Sequence, residues 1–336
     1  MRYILVLMLL FLAAKIQAVE WEDQQLFKGQ NSTQTLRVIS STDTAIFAPI
    51  IHSFLQSNPD LNIHYQVAIS ADVYSEFRAN PEHYDVVVSS AMDLQLKLVN
   101  DGFAQPVEGL EHPAWAQWRR SLFGFTLESA SIVINKAAFE HLPVPGSRQE
   151  MIEVMRANPD TFSGRIGTYD VRQSGLGYLF ATQDARASET YWRLMEIMGS
   201  LRTRLYCCSG AMIDDLADGT LAISYNVLGS YASAREDVAD KIDVILPSDF
   251  PNTMMRTALV ASNTPNADAA ILFMRHLVSS RWSDTDSQTI PLPPLTAYQD
   301  NSQQSIIALN PGLMVFLDDM KRKTFIDEWE SAIIQP

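Results

Sequence analysis

Leu36-Arg37-Val38-Ile39-Ser40-Ser41-Thr42-Asp43-Thr44 decides the fold. Its first four residues read as a strand, and the next five form a hydroxyl-rich turn. Ala45 to Gln56 follows with helical spacing, Ile46, Ile50, Phe54 and Leu55 falling on one side. Asn58-Pro59-Asp60 ends it. The same unit then recurs downstream. Ile63 to Val67 alternates as a strand, and Val73 to Asn80 is a helix. Tyr84-Asp85-Val86-Val87-Val88 reads as a buried strand ending in Ser89-Ser90-Ala91. Met92 to Asp101 is a helix closed by Gly102. Strand and helix alternating three times predicts an α/β fold, with a parallel sheet covered by helices.

Further along the alternation is less regular. Strands are expected at Ser131–Asn135, Arg165–Tyr169, Leu221–Tyr225, Ile242–Leu246 and Thr257–Val260. Helices are expected at Ile152–Asn158, from Ser174 through Phe180, and at Glu189–Ser200, Ala211–Asp218, Asn266–Ser279 and Leu313–Ala332. Residues 283–304, rich in Pro, Ser and Gln, read as a long exposed connection, and residues 19–35 as a polar arm.

The N-terminus carries a different signal. Met1-Arg2-Tyr3 has one positive charge. An uncharged apolar run from Ile4 to Ala14 follows, then Ile16-Gln17-Ala18 and an acidic stretch. This is the pattern of a secretory signal peptide cut after Ala18. The run is too short to span a bilayer, which takes about 20 residues. No Cys follows it to accept a lipid. The mature chain is therefore expected in the periplasm, at about 300 residues a length for two domains. Apolar residues make up 47% of the sequence, ample for packed cores. The formal net charge is −14, and loss of Arg2 and Lys15 makes it two units more negative. Such a chain is no partner for nucleic acid or anionic lipid. The only cysteines, Cys207 and Cys208, are adjacent. In an oxidising compartment they either close a vicinal disulfide or pack as two small apolar thiols. No His or further Cys lies near them in sequence, which argues against a metal site there.

Several stretches together resemble the periplasmic solute-binding proteins of ABC transporters, in the branch that binds ferric ions, phosphosugars and phosphoglycerates. They are Val38-Ile39-Ser40-Ser41-Thr42-Asp43, Tyr84 to Ser90 followed by Asp93-Leu94 and Gly102-Phe103-Ala104-Gln105-Pro106, Gly219 to Asn226, and Arg256 to Val260 followed by Pro265 to Ala270. The resemblance implies a two-lobed, type II binding protein with mixed sheets and a hinge. Carried onto this chain, lobe 1 takes residues 36–125 and 255–336, and lobe 2 takes 126–254. The ferric binders carry a Tyr-Tyr pair after the strand that Leu221–Tyr225 resembles. Here the stretch is Tyr225-Asn226-Val227, a poor cage for a hard ion that wants several anionic oxygens. That departure shifts the expected ligand from iron to a small organic anion.

Open sheets bind ligands at the carboxyl ends of their strands. Three hydroxyl turns stand at such ends, each before a helix: Ser41-Thr42-Asp43, Ser89-Ser90, and Ser174-Gly175. Helix N-termini favour oxyanions, and Ser and Thr add donors, although the same residues also serve as plain N-caps. Arg172 is a candidate two-point clamp, and Tyr225 and Asn226 are candidates for ligand hydroxyls. The expected protein is a monomeric receptor without catalytic residues, metal or cofactor, working with an ABC permease or a sensor kinase. A ferric carrier using exogenous anions, or a secreted hydrolase, are the alternatives. No His-Glu-x-x-His or Gly-x-Ser-x-Gly motif supports the last.

Overall fold

The computed structural model describes residues 19–279, 292–295 and 305–335. The expected signal peptide and most of the expected 283–304 connection lie outside the described residues. The first sheet grows around β2 (Gln34–Ser40), which the opening stretch predicts. β1 is the strand Asp23–Phe27. α1 (Thr44–Ser57) leads to β3 (Leu61–Val67), then α2 (Ser70–Ala79), β4 (Val86–Ser89) and α3 (Met92–Asn100). β2 lies parallel to β3 on one side and to β4 on the other. Leu36, Val38 and Ile39 are buried on both faces of β2, as a helix-covered parallel strand requires. α1 buries Phe47, Ile50, Ile51, Phe54 and Leu55, a stripe at three- and four-residue spacing. Each such side chain contributes about 1.5–3 kcal/mol when fully buried.

β5 (Gln117–Trp118) and β6 (Leu122–Gly124) extend this sheet, and β7 (Glu128–Asn135) begins the second. There follow α4 (Arg148–Ala157), α5 (Pro159–Phe162), β8 (Ile166–Tyr169), α6 (Gly175–Ala187), α7 (Thr190–Ser200), β9 (Arg204–Tyr206) and α8 (Ser209–Ala217). Then come β10 (Ile223–Leu228), α9 (Gly229–Ser233), β11 (Ile242–Ile245) and β12 (Thr253–Met254). The chain returns to the first sheet through β13 (Thr257–Val260) and ends in α10 (Ala267–Ser279) and α11 (Asp319–Ile333). The strand orders are β1-β3-β2-β4-β13-β6-β5 and β11-β7-β10-β8-β9, with β12 beside β7. Both sheets are mixed, as expected: β13 is antiparallel to β4, and β10 is antiparallel to β7 but parallel to β8.

Two boundaries differ from the sequence reading. The supposed arm contains β1, which pairs antiparallel with β3 from Asp23↔Val67 to Phe27↔Ile63. Four of its five residues are exposed, so an edge strand left no alternating apolar signal. The terminal helix packs in the second lobe, not the first. Phe325, Trp329 and Ile333 join Tyr178, Tyr191 and Met195 in the core beside the second sheet. An amphipathic stripe shows that a helix face is buried, not which sheet buries it.

The chain passes between the lobes side by side at residues 124–128 and 254–257. The Phe125 N–H donates to the Arg256 carbonyl at 2.9 Å. The Arg256 N–H donates to Thr126 Oγ1 at 3.2 Å. A Cβ on Gly124 would stand 2.7 Å from Met255 Sδ and 2.9 Å from its Cβ, so this crossing needs a glycine.

Asp93, in the first turn of α3, is buried, and its Oδ1 accepts the Leu94 N–H at 2.9 Å. Burial raises its pKa to about 7, against opposing hydrogen bonds and the Arg322 charge. Between about pH 4 and 7 the folded chain keeps a proton that the unfolded chain has lost. Stability is therefore expected to fall as pH rises through that window, by about 1.4 kcal/mol per pH unit from this group. Urea unfolding of the parent and of Asp93→Asn across pH 4–8 checks it. Parallel profiles would remove Asp93 as the source.

Candidate functional site

A cavity of about 40 Å³ lies between the lobes, roughly room for three waters. Glu22, Ser41, Asp43, Ser70 and Ser90 line it from the first lobe. Tyr169, Ser174, Cys207, Cys208, Ser209 and Tyr231 line it from the second. Five helices begin at its wall. The N-cap of α1 is Asp43, that of α2 is Ile69, that of α6 is Ser174 and that of α8 is Cys208, while Ser90 stands just before the Ala91 cap of α3. Each brings first-turn backbone N–H groups and the positive end of a helix dipole, although Leu176 and Gly177 of α6 and Leu94 of α3 already donate to side chains.

The hydroxyls are held in place. Ser41 Oγ accepts the Ser90 N–H at 3.1 Å, tying two of the turns together. Ser174 Oγ caps α6 by accepting the Gly177 N–H at 3.1 Å. Ser70 Oγ accepts the Leu176 N–H at 3.0 Å, a bond from one lobe to the other. Tyr231 OH accepts the Asp43 N–H at 3.3 Å and donates to Asp43 Oδ1 at 3.4 Å, a second such link. Tyr169 OH and Ser209 Oγ are 2.5 Å apart.

Among the described residues, no Lys, Arg or His lines the cavity. Its charged side chains are Glu22 and Asp43, and burial raises the pKa of both. Nearby Asp43 and Asp72 add to the effect on Glu22, whereas Arg256 opposes it at Asp43. Burial also raises Tyr169 and Tyr231, disfavouring their phenolates. Cys207 and Cys208 are free thiols with Sγ atoms 2.6 Å apart. The hydrogen bond between them lowers the pKa of Cys207 and raises that of Cys208.

Of the residues singled out from sequence, Ser41, Asp43, Ser90 and Ser174 stand on the cavity wall. The others sit elsewhere. Thr42 and Ser89 are buried behind the wall, where Thr42 Oγ1 accepts from Arg256 Nη1 and Ser89 Oγ accepts the Ala91 N–H. Gly175 lies where the lobes touch: a Cβ there would come within 2.9 Å of Leu94 Cδ1 and 3.1 Å of Ser70 Oγ. Arg172 is a correction. Its guanidinium bonds Asp170 at 2.6 and 2.8 Å and Glu330 of α11 at 3.0 Å, outside the lining. Tyr225 and Asn226 are a second correction. A bulge in β10 between Ser224 and Val227, with Asn226 at φ +63°, turns both toward buried Asp184. Sequence reasoning missed Glu22, Ser70, Tyr169, Ser209 and Tyr231. Glu22 was hidden in the supposed arm. The others sit at strand ends and helix starts, where the same rule could have found them.

No protein-family model matches the sequence, and no curated protein matches it. Solved structures do. The substrate-binding protein of an ABC transporter from Agrobacterium tumefaciens superposes with a TM-score of 0.88 at 29% identity, covering 94% of this chain and 99% of that one. The periplasmic binding protein AfuA from Actinobacillus pleuropneumoniae, with fructose-6-phosphate bound, matches at 0.71 and 13% identity, covering 91% and 100%. Iron-bound HitA from Pseudomonas aeruginosa matches at 0.61 and 12%, covering 89% and 99%. The fold of this chain is that of the type II periplasmic binding proteins.

Proposed function

We propose that the chain is a periplasmic receptor that captures a small organic anion between its lobes and presents it to an ABC permease or to a sensor kinase. Export rests on the leader-like first 18 residues, and no helix among the described residues is long and apolar enough to cross a membrane. One observation carries the ligand class: five helix N-termini meet at one hydroxyl-lined cavity. Together they offer backbone N–H donors and partial positive charge to a carboxylate or phosphate. Asp43 then takes a hydroxyl or other donor group at the far end of the same solute. The closed cavity is small, so admitting a sugar phosphate requires the lobes to part about the crossing segments. The ABC-transporter protein and AfuA, among its structural neighbours, agree with this reading.

Iron is the weaker reading, because Tyr225-Asn226 stands where the ferric binders carry a Tyr-Tyr pair, and both residues bond Asp184 off the cavity. Catalysis is no part of the proposal. A thermal-shift screen against phosphorylated sugars, phosphoglycerates, di- and tricarboxylates and ferric salts tests it. One class of organic anion should raise Tm by several degrees. Ser174→Ala should lower the unliganded stability by about 1 kcal/mol through its lost cap, and weaken that solute as well. Stabilisation by ferric salts alone, or turnover of a phosphate ester, would sink the proposal.

A further inference from the structure

We propose that Glu22, Cys207 and Cys208 hold a thiophilic divalent cation of the Zn²⁺ class in the cleft, with one coordination position left open toward the solute. The carboxylate and the two thiols lie within 4.8 Å of one another. All three line the interlobe cavity. Glu22 comes from the segment just ahead of β1, whereas the cysteines lie between β9 and α8 in the opposite lobe. The fold thus supplies the third donor that no neighbour in sequence provides. Two sulfurs and a carboxylate oxygen suit Zn²⁺ or Cd²⁺ rather than a hard ion. Three protein donors with a vacant fourth position is the arrangement of zinc sites that bind an exchangeable group.

An open coordination position explains why the cleft would use such an ion. The lining holds two carboxylates and, among the described residues, no basic side chain, yet an anionic solute needs positive charge. Binding exchanges two thiol protons for the dication, so the net charge of the cluster is unchanged, and what the ion adds is a Lewis-acid position that an anionic oxygen of the solute can occupy. The two thiols release their protons to solvent as the ion binds. The excess negative charge of the thiolates is offset by the N-terminus of α8, which Cys208 caps. The ligands come from both lobes, so the ion also draws the lobes together. The sulfurs stand 2.6 Å apart. A tetrahedral ion at about 2.3 Å from each would hold them roughly 3.8 Å apart, so binding turns one cysteine side chain outward. This inference rests on the cleft being the solute site.

The test titrates Cd²⁺ alone into the mature protein, reduced with a phosphine, followed by calorimetry and by the ultraviolet charge-transfer absorption of cadmium thiolate. One Cd²⁺ per chain is expected, displaced by Zn²⁺. Glu22→Gln should keep the thiolate absorption but weaken affinity about tenfold or more. Cys207→Ser should weaken binding and at least halve the absorption, since one of the two thiolates is lost. Unchanged affinity in Glu22→Gln would mean the thiols alone capture the ion and would overturn the site, as would unchanged binding in Cys207→Ser. Glu22 is covered by the cleft on one side and open to solvent on the other, so its variant carries the test even if the cysteine variant misfolds. No organic solute is present, so failure here leaves the anion screen standing. A failed anion screen likewise leaves the cadmium stoichiometry untouched.

Discussion

Arg148→Met is expected to destabilise the chain by about 3–5 kcal/mol, because it strands a buried carboxylate. Arg148 and Asp184 have no side-chain exposure, and Arg148 Nη2 donates to Asp184 Oδ1 at 2.9 Å. Arg148 Nη1 reaches Asp249 Oδ1 at 3.0 Å, and Nε donates to Tyr225 OH at 2.5 Å. Asp184 is further held by Tyr225 OH at 2.7 Å, Asn226 Nδ2 at 2.8 Å and Asn252 Nδ2 at 2.6 Å. The guanidinium lies 3.8 Å from the Phe250 ring centroid. Methionine fills much of the volume but gives none of those hydrogen bonds. The neutral donors that remain do not replace the lost charge. Urea unfolding measures the loss. Asp184→Leu in the Arg148→Met background should recover part of it, since two apolar groups leave no unpaired charge. If the double variant is as unstable as the sum of the two singles, the coupling through the ion pair is refuted. Solute affinity of the folded protein should barely move in Tyr225→Phe, because this network stands off the cavity.

That last contrast marks where the sequence stopped being legible. Leu36 to Gly102 announced its elements because parallel strands covered on both faces are continuous apolar runs, and their helices carry clean stripes. The hydroxyl turns at those strand ends were legible for the same reason, and three of their residues, Ser41, Asp43 and Ser90, stand on the cavity wall, as does Ser174 after β8. Arg172, Tyr225 and Asn226 obeyed the same positional rule but turn away from the cavity. Their direction depends on partners far along the chain: Asp170 and Glu330 for Arg172, Asp184 for the other two. A left-handed Asn226 inside a strand cannot be told from sequence from an extended one, and here it accompanies the bulge between Ser224 and Val227. Glu22 failed differently. An exposed edge strand has no periodicity to detect, so a residue beside it carried no address.

Arg256→Met is expected to be as costly as Arg148→Met, about 3–5 kcal/mol, but to reach the cleft as well. Arg256 is fully buried where the chain returns between the lobes. Its Nε and Nη2 donate to Glu128 Oε1 and Oε2 at 3.0 and 2.9 Å, pinning one crossing segment to the other. Glu128 Oε2 also accepts from Ser230 Oγ at 2.6 Å, next to the cavity residue Tyr231. Arg256 Nη1 donates to Thr42 Oγ1 at 2.6 Å, and the Thr42 carbonyl accepts from Tyr65 OH at 2.8 Å. One guanidinium thereby positions the Ser41–Asp43 turn of the first lobe and, through Glu128, the start of α9 in the second. Methionine leaves Glu128 buried without its cation and frees Thr42. Restoring neutrality with Glu128→Gln should return part of the stability, because the stranded charge is gone. It should not return the turn, because the introduced amide cannot reach both lobes as the guanidinium did. Solute affinity should therefore stay about tenfold or more below the parent in the double variant, the equivalent of about 1.4 kcal/mol. Calorimetric titration with the solute found in the screen, at a urea concentration where both proteins are folded, separates the two effects. Parent-like affinity in the double variant would show that the ion pair stabilises the crossing segments without setting the geometry of the cleft.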